Sequence, residues 1–272
     1  MLHRPQSIGE ALDILANDAE AKPLAGGATL VAMLNARLVE PPCLVSLARI
    51  DELRGTARTE DGGFRVAAMT RHCEIAEHAG LNGPHAVLRQ AAGTIANPTI
   101  RAMGTIGGSV ALNDPAADYP PALVAMSAAI EIAGRSGTRL VAAREYFLDW
   151  YTTALGPGEL VTAIRLPAAA KGGGVYHKVA RVAGDFAIAS VALVFKADGT
   201  VSAAIGACGP HPLWHEEANA ELGRGNVASA GALLTALADP VDDSRASATY
   251  RRRIIPRMLD RAFAQARELV KA

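Results

Sequence analysis

The stretch Met103-Gly104-Thr105-Ile106-Gly107-Gly108-Ser109, running on through Asn113-Asp114-Pro115-Ala116-Ala117-Asp118-Tyr119-Pro120, decides how the rest of the chain is read. Paired glycines ahead of a small hydroxyl residue let main-chain N–H groups approach phosphate oxygens, because no Cβ stands between backbone and ligand. The acids that follow, Asp114 and Asp118, cannot hold a phosphate but can accept hydrogen bonds from ribose hydroxyls. Glycines first and acids after is the order expected of a nucleotide laid along a loop. For this stretch alone, an ordinary glycine-rich turn is the competing reading.

A second stretch shifts the balance. Pro23-Leu24-Ala25-Gly26-Gly27-Ala28-Thr29-Leu30 stands between a short apolar strand, residues 21–25, and a helical run over residues 29–38. Here again two glycines and a hydroxyl open a helix, where unpaired N–H groups and the positive end of the dipole favour an anion. Two such loops could grip one pyrophosphate from both sides. Neither contains the Gly-x-Gly-x-x-Gly of a dinucleotide-binding βαβ unit or the Gly-Lys-Ser/Thr of a P-loop, so those two classes lose their specific support.

The 272 residues suffice for a sizeable core and roughly two domains. With 27 basic and 27 acidic residues there is no basic excess to serve nucleic acid. No run approaches the ~20 apolar residues of a membrane span, and Met1-Leu2-His3-Arg4-Pro5 lacks the apolar core of a signal peptide, so a cytoplasmic location is expected. Cys43, Cys73 and Cys208 are odd in number and far apart, which indicates no disulfide framework, no zinc site and no iron–sulfur cluster.

Along the chain, Ser7-Ile8-Gly9-Glu10 reads as a capping box opening a helix to Ala16. With the strand at 21–25, the helix at 29–38, the break at Pro41-Pro42 and a strand at 43–47, it makes a small βαβ-like unit. A hairpin broken at Asp61-Gly62-Gly63 follows. Thr70 is expected to cap a helix over 71–78, Pro84 to start another to Ala92, and Asn97-Pro98 to turn into the glycine loop. Strands at 129–133, 138–141 and 160–166 follow a helix begun by Pro120-Pro121, and the Ala/Gly run 167–174 reads as a flexible boundary. Beyond it, strands at 175–182, 187–195 and 201–208 give way to helices ending in a long one over 246–269. That order gives an antiparallel sheet backed by helices, an α+β arrangement.

His72, His78 and His85 are spaced on different helical faces and read as solvated or half-buried side chains, not ligands. In His211-Pro212-Leu213-Trp214-His215-Glu216 the glutamate lies outside the histidine pair, against a metal site. Arg251-Arg252-Arg253 reads as a solvated helix face or a subunit contact. No nucleophile elbow, acid–base carboxylate pair or catalytic metal set is present, so no catalytic residue is assigned and the chain reads as a cofactor carrier.

At this point the motifs carry a resemblance. Ala25-Gly26-Gly27-x-x-Leu30, Thr105-Ile106-Gly107-Gly108-Ser109 and Asp114-Pro115-x-x-Asp118 resemble the FAD-binding subunits of molybdenum hydroxylases, the family of carbon monoxide dehydrogenase medium subunits and the flavin domain of xanthine dehydrogenase. Gly158-Glu159-Leu160-Val161 before Ile164-Arg165-Leu166-Pro167, Tyr176-x-Lys178-x-x-Arg181-x-x-x-Asp185-x-Ala187, and Tyr250-Arg251-Arg252 extend it over nearly the whole chain. The resemblance implies an α+β fold: FAD-binding subdomains of the PCMH type over residues 1–55 and 56–167, then a C-terminal domain over 174–272.

It also implies site residues. Ala25, Gly26, Gly27, Ala28, Thr29 and Leu30 match one pyrophosphate loop, and Thr105, Gly107, Gly108 and Ser109 the other. Asp118 matches an acid on the adenosine ribose, with Asp114 in the same turn; Leu160 matches an apolar residue beside the adenine, and Lys178 a lysine on the first strand of the last domain. Ser109 stands where many relatives have asparagine, Ala28 where many have a polar or acidic residue, and the turn at His211 to Glu216 departs from the family's. FAD on this chain is implied, with [2Fe–2S] clusters on a small subunit and the molybdenum cofactor on a large one, as a dimer of heterotrimers. The chain would pass electrons from those clusters through FAD to an external acceptor. A stand-alone FAD-dependent oxidoreductase of related fold and a flavin-free scaffold remain as alternatives.

Overall fold

A computed structural model describes residues 1–168, 171–196 and 198–271, the last without its side chain; Ala169 and Ala170 of the expected boundary, and Ala272 of the expected last domain, lie outside the described residues. The first unit contains β1 (Leu2–His3), α1 (Ile8–Asn17), β2 (Lys22–Leu24), α2 (Leu30–Asn35) and β3 (Leu44–Ser46), with the strands parallel in the order β1-β3-β2. Ser7 caps α1 by accepting the Glu10 N–H at 3.2 Å, and the Glu10 carboxylate reaches back to the Gln6 N–H at 2.7 Å. The edge strand β1 has no counterpart in the sequence reading. Helix α2 stops short of Leu38 because Arg37 turns left-handed (φ 54°) and the Leu38 N–H closes on the Met33 carbonyl; with no buried residue in α2, nothing extends it.

The second unit holds β4 (Thr56–Arg58), β5 (Phe64–Ala67), α3 (His72–Glu77), α4 (Ala86–Thr94), α5 (Pro98–Met103), α6 (Ile106–Leu112), α7 (Tyr119–Ala125), β6 (Ala129–Gly134), β7 (Gly137–Ala142), α8 (Ala143–Tyr146), β8 (Phe147–Asp149), β9 (Thr152–Thr153) and β10 (Leu160–Leu166). Five strands form one antiparallel sheet, ordered β4-β5-β10-β6-β7. Phe64, Val66, Ile130, Ile132 and Ile164 are buried in its core, as the period-2 pleat dictates. Glu131 accepts Arg65 at 2.8 Å, Arg165 at 2.7 Å and the Thr162 hydroxyl at 2.9 Å. Burial opposes its charge, and these three donors nonetheless hold the carboxyl below its ordinary range.

Two local readings are corrected. Asn97-Pro98 does not turn directly into the glycine loop: Asn97 Oδ1 accepts the Ile100 N–H at 3.0 Å and Pro98 fills the first turn of α5, an N-cap and N1 proline pair. Thr70 does not cap α3, because its hydroxyl donates to the Gly55 carbonyl at 2.9 Å; the N-cap residue is Arg71.

The third unit consists of β11 (Gly172–Val179), β12 (Ala189–Lys196), β13 (Val201–Gly206), α9 (Glu216–Gly223), α10 (Val227–Leu237) and α11 (Ala248–Lys271), its strands antiparallel in chain order. On one face of the sheet Val175, Val191, Leu193, Ala203 and Ile205 pack with Ile255, Leu259, Ala262 and Phe263 of α11. On the other, Tyr176, Ala192, Val194 and Ala204 join the core of the second unit. Burial on both faces is why these strands read as unbroken apolar runs.

Gly172, Gly173 and Gly174, expected in a flexible boundary, instead begin β11, opposite Lys196, Phe195 and Val194. They are there for close packing: a Cβ on Gly173 would lie 2.8 Å from Leu269 Cβ, and one on Gly174 would overlap the Pro84 carbonyl. Gln90 of α4 secures the junction, donating to the Gly174 carbonyl at 3.0 Å and accepting the Tyr176 N–H at 2.9 Å. Arg251 is likewise not on a solvated face; it is buried.

Gly174→Val should therefore lower the unfolding free energy by about 1–3 kcal/mol through overpacking at this junction. Gly93→Ala, on the exposed side of α4 with its nearest atom 3.9 Å away, should raise it by about 0.5–1 kcal/mol. Urea unfolding of the two variants beside the parent checks both signs.

Candidate cofactor site

One cavity of about 1080 Å³ opens between the units. That is just above the roughly 300–1,000 Å³ typical of small-molecule sites. Ala25, Gly26, Gly27, Ala28, Thr29 and Leu30 line it from the first unit; Thr105, Gly107, Gly108, Ser109, Asp114, Asp118 and Leu160 line it from the second. Of the residues marked in the sequence only Lys178 is not on its wall.

The two glycine motifs are packed against each other. A Cβ on Gly26 would overlap the Met103 carbonyl, and one on Gly107 would stand 2.5 Å from Ala68 Cβ, so these two glycines permit backbone contact within the protein. Gly27 supplies a left-handed turn (φ 78°). Gly108 is different: it is exposed, its φ is not in the left-handed region, and a Cβ there would meet only Thr105 Oγ1 at 3.2 Å and Ala25 Cβ at 3.6 Å.

The donors are unevenly shared. The second motif is not an open loop but the first turn of α6, and four of its amides are used internally. Ile106 N–H goes to Thr70 O, Gly107 N–H to Ala68 O at 2.8 Å, Ser109 N–H to Thr105 O, and Gly108 N–H to the capping Thr105 hydroxyl at a long 3.3 Å. In the first motif no acceptor among the described residues takes the N–H groups of Gly26, Gly27, Ala28 or Thr29. Clustered free amides around a left-handed glycine form an anion-binding concavity.

The acids also differ. Asp118 is buried, its Oδ1 accepting the Tyr176 hydroxyl at 2.6 Å and its Oδ2 the Lys178 ammonium at 3.1 Å, while Lys178 also donates to the Thr94 carbonyl at 2.8 Å. Burial pushes the Asp118 carboxyl up, and Lys178 and Tyr176 oppose it. Lys178 thus reaches the cavity through Asp118. Asp114 closes an Asx turn on the Ala116 N–H at 2.8 Å and receives the Tyr151 hydroxyl at 3.3 Å. Asn113, left-handed at φ 48°, donates to the Asp149 and Thr152 carbonyls at 2.9 Å each and so fixes this turn to the β8–β9 hairpin.

Several wall residues were not marked in the sequence. Gly184, Asp185 and Phe186 reach in from the third unit, and a Cβ on Gly184 (φ 89°) would lie 2.5 Å from the Ala96 carbonyl. The quoted Arg181-x-x-x-Asp185 spacing was the available signal for them. Tyr151 and His72 carried none. His72 Nδ1 shares a hydrogen with Tyr119 Oη at 2.9 Å, and burial, aided by Arg101, lowers its pKa to about 4.

Among the described residues no three His, Cys, Asp or Glu side chains converge to hold a metal ion. His215 serves as N-cap of α9, and Phe64 packs edge-on against His78 and His85. Nor is any described helix long and apolar enough to cross a membrane.

A cavity of this size whose wall offers unpartnered backbone amides, carboxylates and apolar side chains suits a nucleotide cofactor. Residues 1–169 match the family model for the FAD binding domain in molybdopterin dehydrogenase, and 174–266 that for the CO dehydrogenase flavoprotein C-terminal domain. The carbon monoxide dehydrogenase medium chain of Afipia carboxidovorans is 39% identical over 99% of this chain and 97% of its own. The glyceraldehyde dehydrogenase medium chain of Sulfolobus acidocaldarius is 34% identical over 96% and 95%. Among solved structures, a cyanide-inactivated Cu,Mo-CO dehydrogenase matches with a TM-score of 0.93 and 38% identity over 98% of this chain and 97% of that one. Quinoline 2-oxidoreductase from Pseudomonas putida 86 matches at 0.92 with 27% identity over 100% and 98%. The chain belongs to the family of FAD-binding medium subunits of molybdenum hydroxylases.

A histidine held neutral in the fold binds fewer protons than its unfolded form between about pH 4 and 6.5, so its contribution to stability is complete above that window and falls as pH drops through it. His85, also lowered by burial, acts in the same sense. His72→Gln should therefore lose less unfolding free energy than the parent between pH 7.5 and pH 5.0, as measured by urea titration at both values. An equal loss would contradict the assignment.

Proposed function

We propose that the cavity holds one noncovalent FAD with its pyrophosphate on the first glycine motif, and that the chain is the electron-relay subunit of a molybdenum hydroxylase. The observation that carries this is the convergence of both glycine motifs and both acids on one cavity from separate units. The residues present fit the cofactor. Free amides of Gly26 to Thr29 suit the pyrophosphate, exposed Gly108 leaves it room opposite, Asp118 and Asp114 suit ribose hydroxyls, and Leu160 offers an apolar face to the adenine. Thr105 and Gly107 shape the wall, and Ser109 and Ala28 stand beside it. Lys178 acts by pairing with Asp118, which favours its charged form against burial and holds it in place. His72 on the wall has its ring held between Tyr119 and Gly104, which argues against a covalent flavin bond through that histidine.

Bound there, flavin supplies the redox exchange between [2Fe–2S] clusters on a small subunit, themselves fed by a molybdenum cofactor on a large subunit, and an external acceptor. Everything this chain adds is positional: it holds the dinucleotide, excludes water from part of it and presents its open edge. We place the working assembly in the cytoplasm as a dimer of heterotrimers, and divide this chain into subdomains 1–55 and 56–167 and a domain 174–272.

Gly108→Val should abolish FAD binding while the fold survives, since its side chain would project into open cavity. Asp118 needs a gentler change, because Asp118→Ala would strand the buried Lys178. Asp118→Asn should weaken binding about 10-fold, roughly the 1.4 kcal/mol of one charge-assisted hydrogen bond. Flavin fluorescence titration of the folded apo-variants measures both; a Gly108→Val chain that binds FAD as the parent does overturns the reading.

Purification of the chain from its native source should bring down a small iron–sulfur protein and a large molybdenum protein in equal numbers, as read by native mass spectrometry. The chain isolated alone with full substrate turnover would refute the relay role.

A further inference from the structure

We propose that Arg251 is a positioning residue for the flavin site, the clasp that sets the two cavity walls contributed by residues 114–118 and 184–186. The inference rests on the FAD reading above. Arg251 lies in the first turn of α11, remote in sequence from every cavity residue, yet it is only 3% exposed. Its Nη1 donates to the Ile188 carbonyl at 2.6 Å and the Ala207 carbonyl at 2.9 Å, and its Nη2 to Asp243 Oδ1 at 2.6 Å. A guanidinium presents such donors in a fixed planar fork, so one side chain holds three segments in a single geometry.

Each segment leads to the cavity. Ile188 follows Phe186 by two residues, and between them the Ala187 N–H donates to the Ala116 carbonyl at 3.3 Å. Ala207, left-handed at φ 60°, donates its N–H to the Pro115 carbonyl at 3.2 Å. Through these two residues the guanidinium fixes both the turn that carries Asp114 and Asp118 and the strand entry that follows Phe186. The third segment closes the clasp from outside: Asp243 also accepts the Arg245 and Ala246 amides, Arg245 lies over the Phe186 ring at 5.7 Å, and Arg181 donates to the Ser244 carbonyl at 3.1 Å. Across the cavity, Gly184 abuts the Ala96 carbonyl, so the 184–186 segment has no slack on that side. With the guanidinium removed, two carbonyls and a carboxylate lose their shared donor, and both walls are released together.

The full chain is prepared as parent, Arg251→Gln, Arg251→Lys, Asp243→Asn and two controls. Arg252→Ala removes the neighbouring arginine, which meets only the Ala238 carbonyl and the exposed Asp239. Leu234→Ala lowers stability through loss of packing in the third unit's core, outside the cavity wall. Each is scored for FAD affinity, thermal midpoint and the visible circular dichroism of bound flavin. Arg251→Gln should bind FAD at least about 10-fold more weakly, with partial return on adding guanidinium ion. Arg251→Lys should recover part of the affinity but give a changed flavin dichroism, since an ammonium cannot span the fork. Asp243→Asn should lose a few-fold. Leu234→Ala should melt earlier with parent-like affinity and dichroism, and Arg252→Ala should match the parent. If Arg251→Gln folds and binds FAD with parent affinity and dichroism, the clasp is refuted. If it does not fold, Asp243→Asn decides, and parent-like affinity and dichroism there refute it equally. A parent chain that takes up no FAD at all would instead refute the function on which the clasp rests.

Discussion

Burial of the sheet β11-β12-β13 on both faces is the constraint on which the remaining architecture depends. Alternate side chains go to α11 and to the core of the second unit, so neither side can be released without exposing a row of apolar residues. Because that sheet is pinned, the segment between β11 and β12 has a fixed exit, and Gly184 to Phe186 must project toward the glycine motifs. The cavity is thus a product of domain docking: two walls belong to the first two units and a third arrives only when the last unit packs. Gly174 allows the docking where β11 meets Pro84, since a side chain there would hold the backbones apart, and Gly172 and Gly173 allow the same close approach to β12 and α11 within the third unit.

A division of labour between the glycine motifs follows from the same packing. Gly26 and Gly107 let main chains touch, and the contact of Gly26 with Met103 places the two motifs side by side. Once α6 is formed, the amides of Ile106 to Ser109 are committed to Ala68, Thr70 and Thr105, while those of Gly26 to Thr29 have no acceptor among the described residues. A sequence in which both motifs look like phosphate loops therefore folds into one open loop and one helix start.

That is also where the sequence was legible and where it was not. The α+β order, the two glycine motifs, the Asp114 to Asp118 turn and the resemblance they carry were readable because each depends on residue types at fixed spacing. The choice between loop and helix at Gly107 was not, since it depends on carbonyls of residues 68 and 70 that approach only in the folded chain. The run at 167–174 looked flexible because glycine serves both freedom and close packing, and only the partner surface distinguishes them. Arg251 looked like a solvated charge for a related reason: burial of a guanidinium is visible only when the carbonyls it serves, far off in sequence, are brought to it.

The charges around the cavity argue for how an anion is held there. Its wall carries Glu20, Glu40, Asp114, Asp118, Glu159 and Asp185, against a single basic residue, Lys22. Two of the acids are answered from behind, Asp118 by Lys178 and Glu159 by Arg139 at 2.7 Å, so their charge is neutralised without any cation entering the cavity. A bound pyrophosphate would find few cations to pair with and many carboxylates to avoid. The unpartnered amides of Gly26 to Thr29 offer backbone dipoles in place of such cations. The acids, unsuited to phosphate, are suited to hydroxyl groups, and this charge pattern agrees with the proposed lengthwise dinucleotide, its anionic centre on the first motif and its sugar hydroxyls along the carboxylates. Backbone donors do this without the long flexible side chains that would compete with those carboxylates for one another.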